Sequence, residues 1–250
     1  MKKLTYTLAT LALPILFACG DDNSSNSNTP SQADSSKQTT TPSTPSTQVA
    51  PKNDSNTADS AHFDITFTGL WTASRQPVNY PSDAHFSPLI GTTHNSKLTL
   101  WAVGQLASPG IQSMAETGST TQLESEISMH RAQGVADALV KGQRIDATES
   151  TTVSVTVSKA FPLLTVTSMI APSPDWFVGV YARPLMQNDV WIDEATIPLQ
   201  KIYDAGTDGG TDFTSANAPL NPHVPIKQLL DKHFNNNSQP IAQLVIKRKQ

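Results

Sequence analysis

The chain has 250 residues, of which 37% are hydrophobic and 15% are charged, and its formal net charge is -4. Nucleic-acid phosphates require clustered Lys and Arg, and the only basic cluster is the tip at Lys247, Arg248 and Lys249, so the composition argues against nucleic-acid binding. Roughly 190 residues follow a polar N-terminal quarter, which is enough for one folded domain.

The N-terminus predicts a secretory signal peptide over residues 1–18. A positive start precedes an apolar stretch that is too short for a resident membrane helix. This stretch ends in LFACG, which resembles the bacterial lipobox, in which the cysteine is acylated and becomes the new N-terminus. We therefore predict a lipid anchor on Cys19, the only cysteine, that attaches the exported protein to the cell envelope. The resemblance to the sorting pattern of Gram-negative lipoproteins, in which an aspartate at this position favours inner-membrane retention, implies that Gly20 favours the outer membrane. A plain signal peptide is the alternative.

The segment that follows Cys19 is almost entirely Ser, Thr, Asn, Asp, Gln and Pro. Such a composition cannot bury enough apolar surface to offset the entropy of ordering the chain. Residues 19–60 are therefore predicted to be a lipidated N-terminus and a disordered tether that adds no stability to the domain predicted at 61–250.

Alternating apolar residues predict β-strands in the remaining sequence, at residues 63–68, 98–100, 153–157, 163–167 and 241–246. One stretch, residues 121–140, instead has apolar residues at helical spacing. Pro- and Gly-rich turns separate these elements. The pattern predicts an all-β fold, an antiparallel β-sandwich with a helix packed at one end.

Three polar segments interrupt this pattern and are predicted to be loops, at residues 85–95, 168–179 and 203–210. Asp204 and Asp208 lie in a glycine-rich turn that can aim two carboxylates at one point. Prolines just before Asp175 stiffen the backbone that presents a third carboxylate. Oxygen ligands on loops suit Ca²⁺ better than zinc or copper. The alternative, that these are ordinary turn residues bonding their own amides, stays open.

The same segments closely resemble the spondin domain family. The resemblance is carried by MIAPSPDWFVG at 169–179, DAGTDGG at 204–210 and HFSPLIG at 85–91, in the family's order, and it extends over roughly residues 61–247. It implies a sandwich similar to calcium- and phospholipid-binding sandwich domains, with one or two short helices. It also implies that Asp175, Asp204 and Asp208 are the calcium ligands.

The chain departs from animal members, which are secreted matrix proteins with further domains and with cysteines in this unit. Their adhesive partners therefore do not transfer. Asp212, just beyond the second motif, has no counterpart in the resemblance and is predicted to be solvated. His85 and His94 lack a third metal ligand of clear spacing, which favours a packing or hydrogen-bonding role. The four tryptophans are predicted to pack in the core, with Trp176 as the one that a ligand can also reach.

We predict a non-enzymatic, calcium-binding adhesion or binding module. Its partners are the membrane, through the lipid anchor, and an extracellular or envelope protein or glycan that the sequence does not identify. A structural envelope protein in which calcium only stabilises the fold is the alternative. A hydrolase built from Ser87, His94 and Asp83 is less favoured, because the chain lacks a Gly-x-Ser-x-Gly elbow and a His-Glu-x-x-His pair.

Overall fold

A computed structural model describes residues 57–250 of the chain. The predicted signal peptide, Cys19 and most of the predicted tether lie outside the described residues. No helix in the described range is long and apolar enough to cross a membrane.

Residues 57–250 form fourteen β-strands, two α-helices and one 3₁₀ helix. The strands are β1 (Ser60–Gly69), β2 (His85–Phe86), β3 (Ile90–His94), β4 (Ala136–Lys141), β5 (Ile145–Asp146), β6 (Ser150–Ser158), β7 (Leu163–Ala171), β8 (Trp176–Pro184), β9 (Met186–Gln187), β10 (Val190–Trp191), β11 (Glu194–Leu199), β12 (Ile202–Asp204), β13 (Lys227–Leu229) and β14 (Ala242–Arg248). The helices are α1 (Pro109–Thr117), α2 (Thr121–Ala132) and the 3₁₀ helix Lys232–Asn237.

The strands form two main antiparallel sheets. The smaller sheet has the order β11-β14-β1-β6. The larger one has the order β13-β12-β8-β7-β2-β5, with β3 pairing to both β7 and β4, while β9 and β10 form a separate hairpin. This architecture confirms the predicted all-β sandwich with short helices.

Alternation along the strands places the main core between the two sheets. Phe63, Ile65 and Phe67 point inward from β1, because every second residue of a strand faces the same side. Leu164 and Val166 of β7 meet them from the larger sheet and belong to the same buried cluster. The period of two that predicts these strands therefore also selects the residues of the core.

The opposite face of the larger sheet is covered by α1 and α2. Ile111 and Met114 of α1 and Leu123 of α2 form a second buried cluster with Met169 and Phe177 of the sheet. Strands β7 and β8 are thus buried on both faces. The helices lie on a face of the larger sheet. The sequence instead predicts a helix at one end of the sandwich.

Two sequence predictions of elements are wrong. The predicted helix at 121–140 ends at Ala132, and Gly134 takes a positive φ of 68° that turns the chain into β4. Its second half is therefore a strand. Residues 98–100 form no strand, although Leu98 and Leu100 are buried as expected. Burial of alternate residues in an irregular segment gives the same pattern as a strand.

Contacts of the domain with its N-terminal segment begin before Ser60. The indole nitrogen of Trp191 donates to the carbonyl of Ala58 at 2.8 Å, and Lys159 Nζ donates to the carbonyl of Thr57 at 2.6 Å. The backbone nitrogen of Lys159 also donates to the carbonyl of Asp59 at 2.9 Å. The last three residues before β1, predicted to belong to the tether, therefore pack on the domain, because their carbonyls accept hydrogen bonds from Lys159, just after β6, and from Trp191 of the β9–β10 hairpin.

Candidate functional site

Asp175 lies in the turn between β7 and β8 and is fully buried. Its Oδ2 accepts hydrogen bonds from the backbone nitrogens of Thr207 at 2.8 Å and Asp208 at 3.1 Å, and from Thr207 Oγ1 at 3.3 Å. Its Oδ1 is also buried but has no hydrogen-bond partner among residues 57–250. One carboxylate thus ties the 204–208 turn to the sheet through one oxygen and leaves the other unsatisfied.

Burial and, to a smaller extent, the negative charge of Asp204 raise the pKa of Asp175 from 3.8 to about 6. The hydrogen bonds from Thr207 and Asp208 act in the opposite direction but do not offset these two effects. The unfavourable surroundings of the anion are those of a carboxylate that lacks a positive partner.

Asp204 ends β12 and lies opposite two residues, Trp176 on β8 and Lys227 on β13. Its Oδ1 accepts from the backbone nitrogen of Gly206 at 2.8 Å, and its Oδ2 lies 3.2 Å from Lys227 Nζ. The lysine side chain is 59% exposed, so this ion pair is weak. Asp204 is therefore a buried carboxylate whose one ion pair within residues 57–250 is with a largely exposed lysine.

Asp208 is buried beside the same turn, and both its oxygens accept backbone hydrogen bonds. Oδ1 accepts from Gly210 at 2.6 Å and Oδ2 from Ala218 at 2.9 Å. These bonds are those expected of an aspartate that organises its own turn. A carboxylate oxygen has a second lone pair, so these bonds leave acceptor capacity.

Gly206 is the residue that allows the 204–208 turn to close. Its φ is +74°, and a β-carbon at this position would lie 2.1 Å from the carbonyl oxygen of Val224. Only glycine meets both conditions without strain. The sequence prediction that glycine sharpens this turn is thus supported by its backbone conformation and by its surroundings.

The structure brings the three predicted aspartates to one end of the larger sheet. Among residues 57–250, however, no three His, Cys, Asp or Glu side chains are close enough together to form a metal site as they stand. Asp175 and Asp204 each have one oxygen without a backbone donor, and Asp208 has none. The donor set, all oxygen, fits Ca²⁺ in chemistry, and a three-carboxylate site stays a prediction.

The predicted loops are in large part strand ends. Asp175 lies in a short turn, but the residues before and after it belong to β7 and β8, and Asp204 belongs to β12. Their register pairs Asp204 with Trp176, the neighbour of Asp175. The sheet therefore sets the positions of both carboxylates. Because proline and glycine are rare inside strands, their presence in these segments predicts loops.

Asp212 is partly exposed, as predicted, with 40% of its side chain accessible, but it is also bonded within the domain. Its Oδ2 accepts from Asn79 at 2.8 Å and lies 3.5 Å from Nε2 of the buried His233. His233 also bonds to Asp231 through Nδ1. Burial raises the pKa of Asp212, but the hydrogen bonds from Asn79 and Phe213 and the neighbouring His233 outweigh it, so the net shift is downward. Asp212 thus joins three separate segments of the chain.

The side chains weighed for a hydrolase or a transition-metal site make other bonds. His94 is buried, and its two ring nitrogens bond to Thr165 Oγ1 at 2.7 Å and to the carbonyl of Asn95 at 2.8 Å. Ser87 Oγ accepts from the backbone nitrogen of Met169 at 2.8 Å. The nitrogens of His94 are thus occupied by groups other than Ser87, as a hydrogen-bonding role requires.

All four tryptophans are at most 2% exposed, as a packing role requires. Trp176 contacts Phe213 and Phe234 edge to face, with ring centroids 5.5 and 5.6 Å apart. Trp176 is therefore not open to a ligand in this structure, and it fixes the start of β8 next to Asp175.

Two partners of the aspartates have no sequence signal. Lys227 is 23 residues from Asp204 and meets it only through the register of β12 and β13. Thr207 lies inside the motif, but nothing in its spacing indicates that it donates to Asp175.

The sequence of the chain is similar to those of known proteins. The sequence model of the Spondin_N family matches residues 61–243. Human Spondin-2 is 33% identical over 174 residues, which are 68% of this chain and 52% of that protein. Rat Spondin-1 is 31% identical over 176 residues, 68% of this chain and 22% of that protein. Spondin-1 of Xenopus laevis is 31% identical over 203 residues, 75% of this chain and 25% of that protein.

The chain thus spans about half the length of Spondin-2 and a quarter or less of Spondin-1. The match covers both motifs that contain the three aspartates.

Proposed function

The chain belongs to the Spondin_N family, and we propose that it is a calcium-binding adhesion or binding module on an exported, lipid-anchored envelope protein. The observation that carries this proposal is the buried Oδ1 of Asp175, which has no hydrogen-bond partner in the part of the chain that the structure describes. Buried acceptors are almost always satisfied, so an unsatisfied charged one is a place where a cation or a water molecule can bind. The neighbouring carboxylate of Asp204 favours a cation.

Three carboxylates would hold the ion in this proposal: Asp175 and Asp204 through the oxygens that lack backbone donors, and Asp208 through its remaining lone pairs. A bound calcium supplies positive charge that offsets the repulsion between Asp175 and Asp204. Because Asp175 also bonds to Thr207 and Asp208, occupation of the site fixes the 204–208 turn relative to β8. The ordered turn would then form part of a surface for a partner.

The activity is proposed to be binding and not catalysis. The hydroxyl of Ser87 and the ring of His94 are engaged in separate hydrogen bonds, so the pair that a hydrolase would need is not assembled here. The alternative of a structural envelope protein, in which calcium serves only the fold, makes a different prediction for partner binding and is tested below.

The place of action is proposed from the N-terminus. Acylation of Cys19 would attach the exported chain to the envelope, with the outer membrane favoured by Gly20. The tether would hold the domain away from the lipid headgroups. The partner would then be a protein or glycan of the envelope or of the extracellular space.

A thermal melt tests the ion. Calcium at a hundred times its dissociation constant adds about 2.7 kcal/mol, which raises the midpoint of a domain of this size by roughly 5–10 °C. We expect Asp175→Ala and Asp204→Ala to lose most of this shift. The control, Asp189→Asn, changes an exposed carboxylate in the β9–β10 turn and should keep it. A wild-type midpoint that is the same in calcium and in chelator would falsify the site.

Capture of partners from envelope extracts, with calcium and with chelator, separates the two functions. A binding module loses its partner in chelator while its circular dichroism remains that of the folded domain. A protein that calcium only stabilises shows the same set of captured molecules in both buffers for as long as it stays folded. Repeating the capture with Asp204→Ala assigns the effect to the site.

A further inference from the structure

A groove separate from the three aspartates lies where the open edges of the two sheets approach each other. Its volume is about 740 Å³, which is in the range of ligand sites. One wall is the second half of β8, from Gly179 to Pro184, and the other is the end of β11 with the segment that leads to β12. Strand β11 is the edge of the smaller sheet, and β8 pairs with β12 only through Trp176 and Phe177.

The charges in the groove are all positive. Arg183 and Lys201 line it, and none of its lining residues, all of which lie in the described range, is acidic. Neither cation forms an ion pair with a residue that the structure describes. In a chain with a formal net charge of -4, a groove with two unpaired cations is complementary to an anion.

The uncharged lining suits a sugar. Tyr181 is 45% exposed and is held edge to face against Trp101, with ring centroids 4.9 Å apart, so it offers a fixed aromatic surface. Gln200, Gln228 and Asn236 also line the groove, and the amide nitrogen of Gln200 is held there by donating to the carbonyl of Asn237 at 3.1 Å. Amides both donate and accept hydrogen bonds, as the hydroxyls of a sugar require.

The backbone of the groove is held in an unusual conformation. Ala182 has a φ of 48°, and Asn236 and Asn237 have φ values of 49° and 61°. At Ala182 the pairing of β7 with β8 shifts by a bulge, and the four residues 181–184 are all exposed instead of alternating. Bulges and left-handed residues of this kind re-aim side chains and are found at binding sites.

A peptide strand is the other occupant that two open sheet edges suggest, but the edges are poor in donors. Pro184 and Pro198 have no N–H, and the nitrogen of Ala182 already donates to Thr165 Oγ1 at 2.9 Å. Addition of a strand requires a row of free backbone groups. The groove therefore offers its side chains, and not its backbone, for recognition.

We propose that this groove binds an acidic polysaccharide. Arg183 and Lys201 bind its carboxylate or sulfate groups, and Tyr181 packs against a sugar ring. The proposal adds a class of ligand to the binding function proposed above, and it does not require calcium.

The test measures binding to the full chain by calorimetry in buffer with chelator, so that the calcium site plays no part. The probes are polygalacturonate, dextran sulfate, uncharged dextran and polyglutamate. We expect at least one acidic polysaccharide to bind and dextran not to bind; which of the two binds more tightly identifies the anionic group. Binding should weaken as salt is raised.

Paired variants test the groove itself. Arg183→Gln with Lys201→Gln should weaken binding by about tenfold or more, since two charge-assisted contacts are lost. The matched control, Lys97→Gln with Arg131→Gln, removes two exposed, unpaired cations elsewhere and should change affinity by less than about twofold. Tyr181→Ala should also weaken binding. Melts with and without calcium check that both double variants fold and keep the calcium shift.

Three results would overturn the proposal: neither acidic polysaccharide binds, polyglutamate binds as tightly as they do, or both double variants weaken binding equally. Each of these leaves the calcium shift unaffected. Conversely, a chain that binds the polysaccharide but is indifferent to calcium contradicts the proposed calcium site and not the groove.

Discussion

The pH dependence of stability provides a direct measure of the buried Asp175 carboxylate. Burial and the charge of Asp204 raise its pKa from 3.8 to about 6 in the folded protein. Between these two values the folded chain retains a proton that the unfolded chain loses. The free energy of unfolding therefore falls as pH rises through this window and levels off above it.

The size of the effect follows from the shift. About two pKa units correspond to about 3 kcal/mol of stability lost between pH 4 and pH 7. For a domain of this size this is roughly 6–12 °C in the midpoint. Asp175→Asn cannot ionise and should not show this decline. Its amide keeps an oxygen for the nitrogens of Thr207 and Asp208, but its NH₂ takes the place of the unpaired Oδ1 at a cost of about 1–3 kcal/mol at every pH.

The assay is therefore the difference between the two midpoints as a function of pH, in chelator, since carboxylates remote from Asp175 contribute equally to both proteins. We expect the melting midpoint of the variant, relative to that of the wild type, to rise by several degrees between pH 4 and pH 7. Calcium should stabilise the wild type more at pH 7 than at pH 4.5, where Asp175 is protonated. Parallel profiles for wild type and variant, with Asp189→Asn as control, would refute the reasoning.

Two predictions concern the N-terminus. Deleting residues 21–56 should leave the melting midpoint within a degree or two of that of the wild type. Deletion through residue 59 should lower the free energy of unfolding by about 1–3 kcal/mol, because it leaves the buried indole nitrogen of Trp191 without its acceptor. Equal melting midpoints for the two truncations would contradict this. Cys19→Ser should release soluble protein from the membrane fraction or leave an unprocessed precursor, and mass spectrometry of the mature chain that finds an unmodified Cys19 would rule out the anchor.

The sequence predicts well those strands in which one face is buried. In β1, β6 and β14, apolar residues alternate with polar ones, and the structure has these strands at the predicted places. Strand β7 is buried on both faces, yet Thr165 and Thr167 give it an apparent alternation. Their hydroxyls are satisfied within the sheet, by His94 of β3 and by the carbonyl of Val178 on β8. The correct prediction of β7 thus rests on the positions of its threonines and not on one exposed face.

Helix α1 escapes prediction because it is short and its apolar residues are few. The sequence does contain the residues that start the helix. Ser108 caps it by accepting from the backbone nitrogen of Ile111, and Pro109 follows at the first position. What the sequence does not show is Glu126 of α2, whose carboxylate accepts from Ser108 Oγ and from the nitrogen of Gly110, each at 2.7 Å. Tertiary contacts of this kind stabilise a helix of nine residues, which alone would be marginal.

The candidate site shows the same division between what a motif contains and what the fold adds. The motifs contain Asp175, Asp204 and Asp208, and the strand register brings the first two together. The charge around them depends on Lys227, which the register of β13 places 3.2 Å from Asp204. This lysine is exposed and gains little from the pair, so it can leave Asp204 at small cost when a divalent cation binds. Lys227 therefore neutralises Asp204 in part, while Asp175 has no counter-charge among residues 57–250, and this is the reason that the proposed ion is assigned to its buried Oδ1.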